Sequence, residues 1–249
     1  MISKKMRPIG ISAVLRCKNE EEYITASILS AYRVFDEFIV VLNDSTDSTR
    51  GILADLSKTY AKIQVYEYNQ ACSPAGVGYL DKVRQDPDTS LSKYYNWSFR
   101  LSKFSHVCKW DGDMVALPTL SQVRDLLTLH DLILFDGYDA VGEHTTELEP
   151  RIYRYDPEKT FYEDWDLYEV LKHNYSTSYC VEEKCYVHMK LVKREWQHKP
   201  WSNPNDYATE AFPAPNRNGS DLPVPVRFVR SFAGVIWRAF VRVMNRERT

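Results

Sequence analysis

The chain has 249 residues, 44% of them hydrophobic and 27% charged, enough apolar material for one sizeable α/β core. That composition excludes a disulfide-stapled miniprotein, a fibre and a disordered chain. A net charge of −2 also excludes a protein that coats nucleic acid along its length, so no nucleic-acid partner is expected. The charge is unevenly placed: six arginines and one acid give residues 227–249 a net +5 and leave −7 for residues 1–226. Five cysteines without a CxxC pair point to packing residues in a reducing compartment rather than to a disulfide framework or a structural zinc site. The N-terminal apolar run is too short for a signal peptide or a membrane span, so the expected location is the cytoplasm.

Ile9 to Leu15 is a short β-branched run that predicts a strand, and Ile24, Ile28, Leu29 and Ala31 recur at helical spacing within Glu21 to Tyr32. Phe38 to Leu42 is continuously apolar, as in a strand covered on both faces, and the capping-rich stretch Asn43 to Thr49 leads into a second helix through Ile52, Leu53 and Leu56. Ile63 to Tyr68 is the third strand. The order βαβαβ implies a parallel sheet with right-handed crossovers and ligands at the C-terminal ends of its strands.

Residues 69–90, with Pro74, Gly76, Gly78 and Pro87, predict a long substrate-facing loop. A helix is expected from Leu91 to Phe104, then a strand from Val107 to Trp110 that delivers Asp111-Gly112-Asp113. Further on, Leu117 to Leu129 reads as a helix, Leu132 to Phe135 and Ala140-Val141 as short strands, and Asp164 to Lys172 as another helix. The expected division is a globular domain over 1–198, an irregular connector over 199–226 holding six of the twelve prolines, and the basic tail over 227–249. In the tail, Arg227, Arg230, Arg238, Arg242 and Arg246 share one side of a helical wheel, with Val229, Phe232, Ile236, Phe240 and Val243 opposite. Such a helix either packs on the protein's own core or lies on an anionic membrane surface.

Three polar clusters fall at predicted strand ends: Arg16 to Glu21, Asn43 to Asp47, and Asp111 to Asp113. A doubly wound sheet brings such ends to one cleft. No GxGxxG or GxxxxGK[ST] motif is present, which disfavours dinucleotide and P-loop chemistry. Asp111 and Asp113 offer hard oxygens suited to Mg²⁺ or Mn²⁺; read alone, the same triplet also fits a solvated turn.

Taken together, the motifs resemble the family 2 glycosyltransferases of GT-A fold. Arg16-Cys17-Lys18-Asn19-Glu20-Glu21 and Val40 to Thr49 look like that family's opening, and Asp111-Gly112-Asp113 looks like its DxD motif. Tyr95-Asn96-Trp97 stands where the family often has an Arg-Asn pair, and Phe161 to Leu167, containing Glu163-Asp164, resembles its downstream ED motif at a helix start. The resemblance covers about residues 8–195.

It implies an α/β fold with a Rossmann-like nucleotide-binding half and a mixed central sheet, to which the sequence adds a C-terminal amphipathic helix. It implies that Arg16, Asn19 and Glu20 border the nucleotide, and that Asn43, Asp44 and Asp47 hold base and ribose. Asp111 and Asp113 would face ribose, Mn²⁺ or Mg²⁺ and diphosphate, with His188 completing the metal shell and Lys190, on the same strand face as His188, pairing with diphosphate oxygens. Asp164, with Glu163 as its nearest substitute, would be the base of an inverting sugar transfer from a nucleotide sugar to a hydroxyl of a glycan, in polysaccharide or lipopolysaccharide assembly, at the inner face of the cytoplasmic membrane. Each role has a plainer counterpart: acids at a helix start for Glu163 and Asp164, an ordinary packed residue for His188. Leu42-Asn43-Asp44 stands where the family usually has Asp-Asp-Gly or Asp-Asn-Gly, so the nucleotide base stays open. A nucleotidyltransferase and a non-catalytic glycan-binding protein of the same fold are the alternatives.

Overall fold

The computed structural model describes residues 7–140 and 146–194. The 199–226 connector and the amphipathic helix expected over 227–249 lie outside the described residues.

In chain order the elements are β1 (Ile11–Cys17), α1 (Ile24–Ala31), β2 (Glu37–Leu42), α2 (Thr49–Thr59), β3 (Ile63–Glu67), α3 (Tyr79–Gln85), α4 (Leu91–Arg100), β4 (His106–Lys109), β5 (Met114–Ala116), α5 (Val123–Leu126), β6 (Leu132–Phe135), β7 (Tyr138–Asp139), β8 (Glu149–Arg154), β9 (Phe161–Asp164), β10 (Glu169–Lys172), β11 (Ser178–Cys180) and β12 (Tyr186–His188). Seven strands form a mixed sheet in the order β11-β6-β8-β4-β1-β2-β3. The β4-β1-β2-β3 half is parallel, and β8 runs antiparallel to both β4 and β6. The expected βαβαβ unit is therefore present, continued by a less regular half.

All six residues of β2 are buried, as a continuous apolar run requires. Alternation by two sends Val40 and Leu42 to one face with Ala13, Leu15, Ile28 and Trp110, and Ile39 and Val41 to the other with Val14, Tyr94, Phe99 and Tyr153. Helix α1 closes the first face because Ile24, Ser27, Ile28 and Ala31 fall on one side at helical spacing. On the second face α4 starts at Ser90, whose hydroxyl accepts from the Lys93 N–H at 3.0 Å.

Two smaller sheets complete the fold. Strand β12 lies between β5, antiparallel, and β7, parallel. This three-stranded sheet meets the end of β6 at Gly137, where an added Cβ would lie 2.4 Å from the Tyr186 carbonyl oxygen. Strands β9 and β10 form a separate hairpin that pairs Asp164 with Glu169.

Several expectations are corrected. Residues 164–172 are the end of β9, a turn and β10, so Glu163 and Asp164 sit on a strand and not at a helix start. Residues 118–126 are a 3₁₀ turn opened by Pro118 followed by one short turn of α-helix, α5. Helix α4 stops at Arg100, short of Phe104. The 69–90 segment carries α3 and a 3₁₀ turn, entered through Gly76 and Gly78 at φ of 120° and 77°. The strand near 140 is Tyr138–Asp139, and β12 ends at His188, so Lys190 opens a 3₁₀ turn and does not share a strand face with His188.

Candidate active site

The three strand-end clusters meet at the C-terminal edge of β1, β2 and β4. Asn19 and Asp44 are the non-glycine residues with positive φ among the described residues, at 56° and 53°, a conformation that short polar side chains tolerate best. The Asn19 N–H donates to Ser45 Oγ at 3.2 Å, and Asn19 Oδ1 accepts from the Thr46 N–H at 2.8 Å. Asp47 accepts from the N–H groups of Thr49 and Glu21, at 3.0 and 3.1 Å, and the Glu20 N–H donates to Thr49 Oγ1 at 2.8 Å. The first two loops are thus laced into one corner. Asn43 is buried and turned inward, donating to the carbonyls of Tyr68 and Gln70, whereas Asp44 is exposed and paired with Lys18 at 2.8 Å.

Arg16 is buried beneath the corner with its guanidinium 3.6 Å from the Tyr95 ring centroid and 4.0 Å from Asp111. Arg151 of β8, equally buried, approaches Asp111 at 3.2 Å. Burial alone would favour the neutral acid, but Arg151 foremost, then Lys109 and Arg16, hold the Asp111 carboxyl well below the usual range. Among the buried nitrogens, Arg16 Nη1 and Arg151 Nε lack a hydrogen-bond partner.

Asp113 is buried and has a nitrogen close to each oxygen: His188 Nε2 lies 3.2 Å from Oδ1, and Lys193 Nζ 2.7 Å from Oδ2. Pairing of β12 with β5 and β7 puts His188 opposite Met114 and Asp139, and His188 Nδ1 lies 3.8 Å from Asp139. Against the cost of burial, the His188 hydrogen bond and the charges of His188 and Lys193 hold Asp113 below its ordinary value. Glu20 faces the same point, 2.7 Å from Lys193, and its side chain runs so close over Gly112 that a Cβ there would lie 2.8 Å from it. Burial and the charge of Asp113 push Glu20 up to about 8 against the pull of Lys193. Beside this cluster lies a cleft of about 270 Å³ lined by Asn19, Glu21, Glu22, Asp47, Lys193 and Arg194.

Asp113, Asp111 and His188 supply carboxylate oxygens and an imidazole nitrogen, a donor set that suits Mn²⁺ or Mg²⁺. Among the described residues, no group of three or more acids, histidines or cysteines is arranged to hold a metal, and Lys193 lies between Asp113 and Glu20. The donor types suit a divalent cation, but the described residues are not arranged to hold one.

Asp164 stands apart from this cluster, at the start of α4. It accepts from the Tyr79 hydroxyl, from Ser90 Oγ at 2.7 Å and from the Ser92 N–H at 3.0 Å. Its partial burial opposes ionisation, but these donors, Ser90 foremost, lower its pKa. Asn96 fastens the hairpin to α4 through two 2.8 Å bonds with the Tyr162 backbone. Between Asp164 and Asp111 runs a ladder of alternating charge: Arg151 to Glu149 at 3.3 Å, Glu149 to Lys109 at 3.7 Å, Lys109 to Glu169 at 3.9 Å, with Glu169 opposite Asp164 in the hairpin. Glu163 is exposed and lies 3.5 Å from Lys172. Lys193, Arg151 and Asp139 are the site residues that the sequence does not announce; each reaches the acids from a distant segment without a local motif.

No curated protein matches the chain. Among solved structures, TarS of S. aureus (residues 1–349) is similar at 16% identity, over 74% of this chain and 61% of that one, with a TM-score of 0.49. A TarS complex with UDP gives 16%, 72%, 60% and 0.48. Glucosyl-3-phosphoglycerate synthase from Mycobacterium tuberculosis in complex with Mn²⁺, UDP and phosphoglyceric acid gives 22%, 53%, 43% and 0.34. The chain thus spans less than two thirds of each of these structures. Residues 12–71, from β1 through β3 and past both laced loops, match the family model described as Glycosyl transferase family 2.

Proposed function

We propose that the protein is an inverting glycosyltransferase of GT-A fold that moves a sugar from a nucleotide donor to a hydroxyl of a glycan acceptor. The observation that carries this reading is the meeting of Arg16, Glu20, Asp111, Asp113 and His188 at the C-terminal edge of the parallel strands whose sequence matches family 2. In this reading the laced loops form the nucleotide side of the cleft. Asn19 and Asp47 line it, Asp44 stands exposed on the same loop paired with Lys18, and Asn43 pins residues 68–70 through their carbonyls. Arg16 and Arg151 fix Asp111, and Asp111, Asp113 and His188 would hold Mn²⁺ or Mg²⁺, with Lys190, which opens the turn after β12, assigned to the diphosphate oxygens. The cation would neutralise charge developing on the departing diphosphate.

Asp164 is assigned as the base that takes the proton of the attacking hydroxyl. A carboxylate offers about four lone-pair sites, and three are used by Tyr79, Ser90 and Ser92. One is left for the acceptor. The same donors keep the group ionised at neutral pH.

The basic tail favours an acceptor on an anionic membrane surface, such as a lipid-linked glycan of a cell-surface polysaccharide. The test is turnover of a panel of nucleotide sugars, UDP-glucose first, with and without Mn²⁺. Sugar transfer supports the reading; pyrophosphate release from a nucleoside triphosphate, or tight binding without turnover, replaces it with a nucleotidyltransferase or a binding protein. Asp164→Asn is expected to lower transfer by about 100-fold or more while donor affinity is kept. Transfer near the wild-type rate would move the base to Glu163.

A further inference from the structure

The ladder of alternating charge between Asp111 and Asp164 has no part in the reaction as described, yet it lies where the transferred sugar must stand. In an inverting transfer the anomeric carbon is held between the departing group on one face and the attacking oxygen on the other. With Asp111 at the diphosphate end and Asp164 taking the proton of the attacking hydroxyl, the sugar bridges the two along the ladder. Its members gather at one edge because Lys109 ends β4, Glu149 opens β8 and Glu169 opens β10. Glu149 stands in the middle, 3.3 Å from Arg151 and 3.7 Å from Lys109.

Exposure separates these members. The side chains of Arg151 and Glu169 are 4% and 7% exposed, whereas that of Glu149 is 37% exposed. Both neighbouring cations approach the same Glu149 oxygen, Oε2. A carboxylate accepts at about four lone-pair sites over its two oxygens, so Oε1 has lone pairs to offer a ligand. The row is not closed on itself at Arg151 either, whose buried Nε has no hydrogen-bond partner. We propose that Glu149 reads the transferred sugar: it accepts hydrogen bonds from the sugar's hydroxyls, and so selects neutral sugars against those bearing a carboxylate, whose charge would meet its own. This rests on the assignments of Asp111 to the diphosphate end and of Asp164 as the base.

The experiment is calorimetric titration of the full chain with UDP-glucose, UDP-glucuronate and UDP, and with GDP-mannose, GDP-mannuronate and GDP. In the series that binds, the neutral sugar nucleotide is expected to bind at least about tenfold more tightly than the acidic one. Glu149→Gln, which keeps the shape and loses the charge, should erase most of that lead. Glu149→Ala should weaken the neutral sugar nucleotide by about tenfold, and both variants should bind the bare diphosphate within about twofold of wild type, a split that a merely structural link in the ladder would not produce. The wild-type comparison needs no variant and decides the matter if neither variant folds. Equal affinity of wild type for neutral and acidic sugars, or sugar affinities unmoved by both substitutions, overturns the role of Glu149 alone. Absence of binding by every compound overturns the transferase reading, and the role of Glu149 with it.

Discussion

His106 shows how one buried group writes itself into the behaviour of the whole protein. It sits at the head of β4, almost wholly buried, with Nδ1 2.9 Å from Ser105 Oγ and with Nε2 unpartnered. Burial, helped by Arg154, pushes it down to about 4. A histidine in an unfolded chain titrates near 6.5, so between these values the unfolded chain binds a proton that the folded one refuses. The stability present above pH 6.5 is therefore lost as the pH falls toward 4. Thermal melts between pH 7 and 4 should show the decline, and His106→Gln should flatten it; an unchanged slope would assign the effect to other groups. At the same scale, the gathering of polar strand ends was legible. The polar clusters at the ends of the first and fourth strands do meet, with Arg16 4.0 Å from Asp111 and Glu20 running closely over Gly112. Lys193 was not legible, because the 173 residues that separate it from Glu20 are bridged only by the fold.

Among the elements, the βαβαβ unit could be read directly because each strand is a β-branched or continuous apolar run and each helix has a clear apolar side. The β9–β10 hairpin could not. Its strands are four residues each, too short for alternation to stand out, and its turn, Trp165 to Tyr168, has no glycine, proline or asparagine to mark it. Acids ahead of an apolar pair imitate a helix start instead. The hairpin earns its place by carrying Asp164 to the first turn of α4, where it acts as a cap supplied from another element. Tyr79 joins α3 to the same point, since its hydroxyl donates to Asp164 and accepts from the Leu91 N–H at 2.9 Å. Tyr79→Phe should therefore free residues 69–90: limited proteolysis within that segment should rise severalfold, while global stability falls by only about 1 kcal/mol. Cleavage at the wild-type rate would show that the segment is held elsewhere.

For the molecule as a whole, the acidic body and basic tail are opposites in charge, −7 over residues 1–226 against +5 over 227–249. No helix among the described residues is long and apolar enough to cross a membrane. The sequence of the tail predicts an electrostatic attraction to anionic lipid that salt should weaken. Sedimentation with vesicles rich in anionic lipid should carry down the full chain at low salt and leave residues 1–226 in solution; equal sedimentation of both would remove the tail from that role.

The contact at Gly137 extends further than its size suggests. Because the Tyr186 carbonyl fills the space where a methyl group would stand, the strand that seats His188 can dock only against a residue with no side chain. Gly137→Ala should thus act as a remote lesion. Amide exchange at Val187 and His188 should quicken while Val14 and Ile39 stay protected, and the imidazole would lose its alignment with Asp113 although none of the groups that meet there had been altered. An inspection confined to the polar residues would overlook the one position whose blankness keeps two sheets in register.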